Sequence, residues 1–223
     1  KSKMIQLEPL YEDSYLLVFN KPAGIIVFPE KRTVKDTFVD SLIEKYPELK
    51  SVGQPPRYGI VHRLDKDTSG ILLAAKTNEA LIFFQKQFKN RVIEKGYIAL
   101  VIGNIKDDGG TIHTLIGRAP NDKRKQKAYL PGEPGSKGKR EAITKYKVLE
   151  RFKDYTLLEV KIETGRRHQI RCHLAHIHHP VAGDKMYGFK SSPAPQGLTR
   201  QFLHAAHLKI QLPSGQTKEF KSD

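Results

Sequence analysis

The sequence predicts an α+β fold, with a mixed, mostly antiparallel central sheet and flanking helices and loops. Three observations predict it. Apolar runs of strand length outnumber stretches with helical apolar spacing. The two kinds of stretch do not alternate as a regular βαβ series. No internal repeat of solenoid length divides the chain.

Each element follows from local pattern. Residues 15–20 are a buried strand run, and Lys21-Pro-Ala-Gly24 reads as a turn after it. Residues 25–28 read as a second strand. Phe38, Leu42 and Tyr46 recur every four residues with Val39 and Ile43 beside them, which predicts a helix stopped by Pro47. Residues 51–56 form a loop, and 58–66 a short polar stretch. Residues 70–75 are again a buried strand. Asn78 reads as a helix cap, with Leu81, Phe84 and Phe88 following at helical spacing. Residues 97–102 form a strand closed by Gly103-Asn104. From Arg118 to Arg140 the composition turns to Lys, Arg, Gly and Pro, which predicts an exposed basic loop. Residues 142–149 and 155–162 form a strand pair. Residues 165–178 carry Ile170, Leu174 and Ile177 at helical spacing, and 205–220 read as a hairpin around Pro213-Ser-Gly215.

At 223 residues the chain suits one sizeable domain or two small lobes. One catalytic domain over 1–223 is expected. The first residue is Lys1, which leaves an upstream segment open. Lys plus Arg number 39 against 24 Asp plus Glu, a balance of +15 that favours a polyanionic partner. A merely solvated basic surface explains the charge about equally well. The single cysteine, Cys172, allows no internal disulfide and no cysteine zinc cluster, so a reducing cytosol is the simplest home. No apolar run reaches membrane-span length, no signal peptide is visible, and a monomer with no membrane partner is expected.

The chemistry concentrates in His62-Arg-Leu-Asp-Lys-Asp-Thr-Ser-Gly70, directly before a buried strand. A carboxylate there sits at a strand mouth with cations beside it. A turn whose Asp and Ser cap local backbone groups is the commoner fate of each residue taken singly. His62-Arg-Leu-Asp65 followed by Asp67-Thr-Ser-Gly70 resembles the catalytic motif of the RluA-type pseudouridine synthases. Asn20-Lys-Pro-Ala-Gly24 resembles the N-terminal motif of that family. Lys95-Gly-Tyr97 with Ala99-Leu-Val101 resembles its second motif. Thr164-Gly-Arg-Arg-His-Gln-Ile-Arg171, then Gly183-Asp184 and Tyr187-Gly188, resembles its third. The four occur in the family's order and cover almost the whole chain.

The resemblance implies the pseudouridine synthase fold and an RNA uridine isomerase, most simply of large-subunit ribosomal RNA, with transfer RNA as the alternative. Asp65 matches the essential aspartate, which attacks the nucleotide or drives elimination at the sugar. Tyr97 matches the active-site tyrosine, whose ring stacks on the uracil and whose hydroxyl is placed for proton removal. Arg171 matches the buried arginine that pairs with the aspartate and keeps it ionised. Ile170 matches an apolar position lining the uracil pocket, though plain core fits it equally. Arg63 matches the arginine that occupies the space of a base taken out of its stack, and a phosphate contact is its near rival. His62 is expected as a hydrogen-bonding residue of the substrate site. Lys123, Arg124, Lys125 and Lys127, with Lys137, Lys139 and Arg140, are candidates for RNA backbone contact.

No cofactor and no metal are expected. His173, His176, His178 and His179 raise a zinc alternative, but an open zinc site needs three converging ligands and helical spacing aligns only residues three or four apart. Gly109-Gly110 has no phosphate-loop pattern around it. Many family members carry an upstream S4-type RNA-binding domain, and none fits inside this chain. The rivals are a non-catalytic RNA-binding or ribosome-assembly factor on the same fold and a metal-dependent nuclease using the histidines.

Overall fold

The computed structural model describes residues 5–29, 36–191 and 194–223. The chain falls into two compact units, Lys1–Ile93 with Ala205–Asp223, and Glu94–His204.

In the first unit, β1 (Pro9–Glu12), β2 (Leu16–Lys21), β3 (Ser69–Ala75) and β9 (Leu203–Gln211) lie in that order, and β10 (Thr217–Lys221) pairs with β9. The β1–β2, β2–β3 and β9–β10 pairings are antiparallel. Every residue of β3 is buried, as its unbroken apolar run predicts. Helix α1 (Phe38–Lys45) is capped by Thr37: its hydroxyl accepts from Asp40 N, and the Asp40 carboxylate accepts from Thr37 N at 2.8 Å. Residues 25–28 are not a strand. Their carbonyls serve the start of α1, with Phe38 N donating to Ile26 O and Val39 N to Val27 O, both at 2.9 Å. Helix N–H groups with no partner inside the helix require such acceptors. After α1 comes a 3₁₀ turn, Pro47–Ser51.

Helix α2 (Asn78–Lys89) is capped by Thr77, whose hydroxyl accepts from Ala80 N at 3.1 Å, and not by Asn78. The Asn78 amide instead ties down the preceding loop, accepting from Gly53 N and donating to Ser51 O. Ala80, Leu81, Phe84 and Gln87 form the buried face of α2.

The second unit orders its strands β4 (Glu94–Ile102), β8 (Tyr155–Ile162), β7 (Arg140–Arg151), β5 (Gly109–Arg118) and β6 (Gln126–Tyr129). All four pairings are antiparallel. Helix α3 (Gln169–His176) contributes Ile170 and Leu174 to a core with Ala99, Val101, Leu158 and Val160. Strand β5 was not expected, and β6 corrects the expectation of an uninterrupted basic loop between Arg118 and Arg140. In β5 the buried positions alternate as Ile112, Thr114 and Ile116, the period of a strand with one face inward.

Gly70, the second residue of β3, has φ +118°, and a Cβ there would sit 2.3 Å from the carbonyl oxygen of Ala205. Both the backbone conformation and the close approach exclude a side chain. Gly70→Ala is therefore expected to lower stability by about 2–4 kcal/mol, read as a lower urea midpoint.

Candidate active site

The Asp65 loop is built on β3. Ile60 bridges to Ala74, Val61 N donates to Leu73 O at 3.1 Å, and Ala75 N donates to Gly59 O at 2.7 Å. His62 extends this zipper through its ring: Nε2 accepts from Leu73 N at 3.2 Å. Its ring also stacks on Phe88 of α2, with centroids 4.7 Å apart. The imidazole thus links the motif to both a strand and a helix. Leu64 is buried beside it, while Asp65 is half-buried and Arg63 exposed. Thr68 N donates to Asp65 O at 3.1 Å and closes the turn that carries the carboxylate.

A second strut reaches this turn from the N-terminal motif. Lys21 has no solvent exposure, and its Nζ donates to Pro22 O at 2.8 Å, Ile25 O at 2.9 Å and Lys66 O at 3.1 Å. Gly24 N adds a bond to Lys66 O at 2.9 Å. The residue following Asp65 is therefore held by two donors from residues 21–24. An ammonium is stable away from water only when its protons are matched in this way.

In the second unit Tyr97 lies half-buried on β4 and packs against the core cluster that contains Ile170. Ile170 itself is 5 % exposed. Arg171 stands on α3 and is bound two-pronged by Asp184: Nε donates to Oδ2 at 2.6 Å and Nη2 to Oδ1 at 3.1 Å. Asp184 Oδ1 also accepts from Met186 N and Tyr187 N. Burial alone would push the Asp184 carboxyl up in pKa. The hydrogen bonds and charge of Arg171, with the two backbone donors, outweigh burial and hold it below the usual carboxylate range. Arg171 also lies 5.1 Å from the Tyr187 ring centroid. The Tyr187 hydroxyl accepts from Gln126 N at 2.7 Å and bonds His168 Nδ1 at 2.9 Å. His168 takes a left-handed conformation, φ +53°, to start α3. Gln169 fixes the next turn, accepting from the Thr164 hydroxyl and Arg166 N and donating to Ile143 O and the Thr144 hydroxyl.

Asp184 is the partner of a candidate site residue that motif reading did not assign. It stands in the quoted Gly183-Asp184 pair without a role, yet a buried guanidinium needs a carboxylate of fitting geometry.

The histidines have separate employments. His173 is fully buried between the hydroxyls of Thr114, at 2.9 Å, and Thr144, at 2.8 Å. Burial pushes its pKa down to about 4. His179 Nδ1 bonds Ile102 O, while His176 and His178 are exposed. Among the described residues no three His, Cys, Asp or Glu side chains converge to hold a metal. Cys172 is buried, and desolvation pushes its thiol up to about 12, which keeps it an unreactive thiol.

The basic segment is partly organised. Arg124 is clamped to Asp122, with Nε and Nη2 at 3.0 and 2.9 Å from its oxygens, and Lys127 Nζ lies 2.6 Å from Glu133. The ammonium groups of Lys127 and Lys139 lie 4.4 and 5.4 Å from the Tyr129 ring centroid. Lys123 is exposed. Lys125 joins Asn121, His176 and Tyr187 in lining a cleft of about 550 Å³.

A family model described as RNA pseudouridylate synthase matches residues 15–176. Ribosomal large subunit pseudouridine synthase D of Nitrosomonas europaea is 42% identical over 223 residues, 97% of this chain and 61% of that protein. The chain thus spans less than two thirds of the length of this relative. An uncharacterized RNA pseudouridine synthase of Aquifex aeolicus is 44% identical over 96% of this chain and 68% of its own length. Among solved structures, human RNA pseudouridylate synthase domain containing 1 superposes with a TM-score of 0.80 at 28% identity, covering 98% of this chain and 83% of that one.

Two outcomes follow from this geometry. Lys21→Met removes the ammonium donor from the Pro22 and Ile25 carbonyls and one of two donors from Lys66 O, and a loss of about 2–4 kcal/mol is expected. The check is a urea midpoint together with faster amide exchange at Gly24. His173 binds its proton less readily folded than unfolded, so its contribution is complete above the ordinary histidine pKa and is lost as pH falls toward about 4. Stability should drop by up to about 1.4 kcal/mol per pH unit across that window. His173→Gln should flatten the slope, as measured by denaturation at a series of pH values.

Proposed function

Because the chain belongs to the RNA pseudouridylate synthase family, we propose that it isomerises selected uridines of RNA to pseudouridine. Large-subunit ribosomal RNA is the proposed substrate class, in keeping with the relative from Nitrosomonas europaea. A cytoplasmic place of work goes with that substrate. The observation that carries the reading is the span of the family match. It includes Asp65, Tyr97 and Arg171 together with the Lys21 strut under the Asp65 turn.

In the proposed reaction the N1 bond between base and ribose breaks, the uracil turns, and a bond forms from C5 to the same sugar carbon. C5 then loses its proton and N1 gains one, so the product is an isomer and no redox partner enters. Asp65 is the group that attacks the nucleotide or drives elimination at the sugar, and its half-buried position on a pinned turn suits either task. Tyr97 offers a ring for the uracil and a hydroxyl for the late proton step. Arg171, fixed by Asp184, offers a guanidinium that cannot swing or lose its charge. Arg63 is proposed to fill the gap left by the extruded base. Lys123, Arg124, Lys125 and Lys127 are proposed to meet the phosphate backbone, and the pairs that hold two of them are exposed enough to yield to it.

Tritium release from RNA labelled at uridine C5 tests this reading. Unmodified large-subunit ribosomal transcripts and a transfer RNA pool are compared as substrates. Release by the native protein, reduced at least about 10³-fold in Asp65→Asn, is expected. Equal release from both proteins removes Asp65 from the mechanism. Release from the transfer RNA pool alone moves the substrate class.

A further inference from the structure

Phe28 carries two guanidinium groups. The Arg57 Cζ lies 4.7 Å and the Arg63 Cζ 5.2 Å from the Phe28 ring centroid. The ring is only 7% exposed, whereas both arginines are exposed. These side chains, with Ile60, Val61 and His62, line one small cleft of about 50 Å³ in the first unit. The backbone beneath is fixed. Arg57 N donates to Gln54 O, Ile60 N donates to Arg57 O, and Val61 N donates to Leu73 O of β3.

Arg57 belongs to none of the quoted motifs. Among the described residues its guanidinium makes no hydrogen bond and no ion pair; its partner is the Phe28 ring. An aromatic contact engages the face of a guanidinium and leaves its N–H edges for acceptors. Such a contact contributes only about 0.5–1 kcal/mol at an exposed site, so the ring positions the Arg57 guanidinium without neutralising it. An anion with several oxygens can meet the N–H edge of Arg57. Phosphate has this geometry, and the guanidinium fork matches it two-pronged.

We propose that Arg57, held on the Phe28 platform, is a substrate-positioning residue that binds a backbone phosphate of RNA next to the uridine on which Asp65 acts. This rests on the RNA-directed function proposed above. The two roles divide by chemistry: Asp65 acts on the nucleotide, whereas Arg57 holds the strand and touches no reacting atom.

The test compares the native protein with Arg57→Ala, Arg57→Lys and, as a control for simple loss of charge, Lys50→Ala. RNA affinity is measured by filter binding across a salt series, and kcat and KM by tritium release. Arg57→Ala is expected to raise Kd and KM about 10-fold with kcat within about twofold. The slope of log affinity against log salt should fall by about 0.7–0.9, the loss of one phosphate contact. Arg57→Lys should restore the slope but only part of the affinity, since an ammonium keeps the charge without the fork. Arg57→Ala indistinguishable from Lys50→Ala in affinity and slope overturns the proposal. So does a fall in kcat at constant KM, which would show action through the Asp65 turn. Should the native protein release no tritium from any RNA, the isomerase reading fails, and the binding arm still decides whether Arg57 meets phosphate.

Discussion

The first unit depends on an ammonium group shut away from water. Lys21 Nζ is shared by three carbonyls, two from its own loop and one from Lys66, the neighbour of Asp65. A buried cation cannot drift: any displacement leaves either its protons or the carbonyls unmatched, at a cost that grows as the dielectric falls. Lysine suits this task because its compact head has three donors at tetrahedral spacing. A planar guanidinium would not fit three carbonyls around one point. The strut converts a long-range separation in sequence into a fixed geometry at the turn. It acts there beside the Gly24–Lys66 and Thr68–Asp65 bonds and the β3 zipper.

The second unit reaches rigidity by a different pairing. Arg171 and Asp184 form a buried ion pair, with the carboxylate further tied to two backbone amides. Such a pair adds little net stability over well-packed apolar residues, but breaking it by removing one partner is expensive. Its value lies in orientation. The Asp184 amide bonds fix the loop after α3, the two-pronged contact fixes the guanidinium plane, and Tyr187 lies against that plane. Each unit therefore holds a buried cation at the motif residues, Lys21 in the first and Arg171 in the second, and each is matched by oxygen acceptors.

Much of this was legible in the sequence. The all-apolar run of β3, the helical spacing of α2 and the hairpin of β9 and β10 are patterns that local physics imposes directly. Strand β5 was not legible. It opens with Gly109-Gly110, and one of its three buried positions is Thr114, whose hydroxyl is satisfied by His173 from far along the chain. A polar residue matched by a distant partner leaves no periodic signal. Strand β6 is short, with only Ala128 and Tyr129 buried, so basic composition hid it. Residues 25–28 are apolar for a reason that strand reading misses: they form the floor on which α1 starts. In the candidate site, the motif named Asp65, Tyr97 and Arg171. It could not name Lys21 as buried or Asp184 as the arginine's partner, because both depend on what the fold brings into reach.

Among the described residues, buried and exposed ion pairs differ in kind, and the difference bears on the RNA contact proposed for this protein of net charge +15. The Arg171–Asp184 pair has side-chain exposures of 8 and 0%, so water and salt cannot replace either partner. The Arg124–Asp122 and Lys127–Glu133 pairs are open to solvent on at least one side. Pairs of that kind contribute about 0–1 kcal/mol and are screened by salt, so exchanging a carboxylate for a phosphate costs little. Until that exchange they hold the basic side chains in defined positions and reduce repulsion among neighbours such as Lys127 and Lys139 over Tyr129. In the proposed complex the same acids would compete with an incoming strand, which would temper affinity and favour release. A surface of unpaired lysines would attract RNA more strongly but in no fixed register. The mixture seen here fits a proposed enzyme that must let its product go.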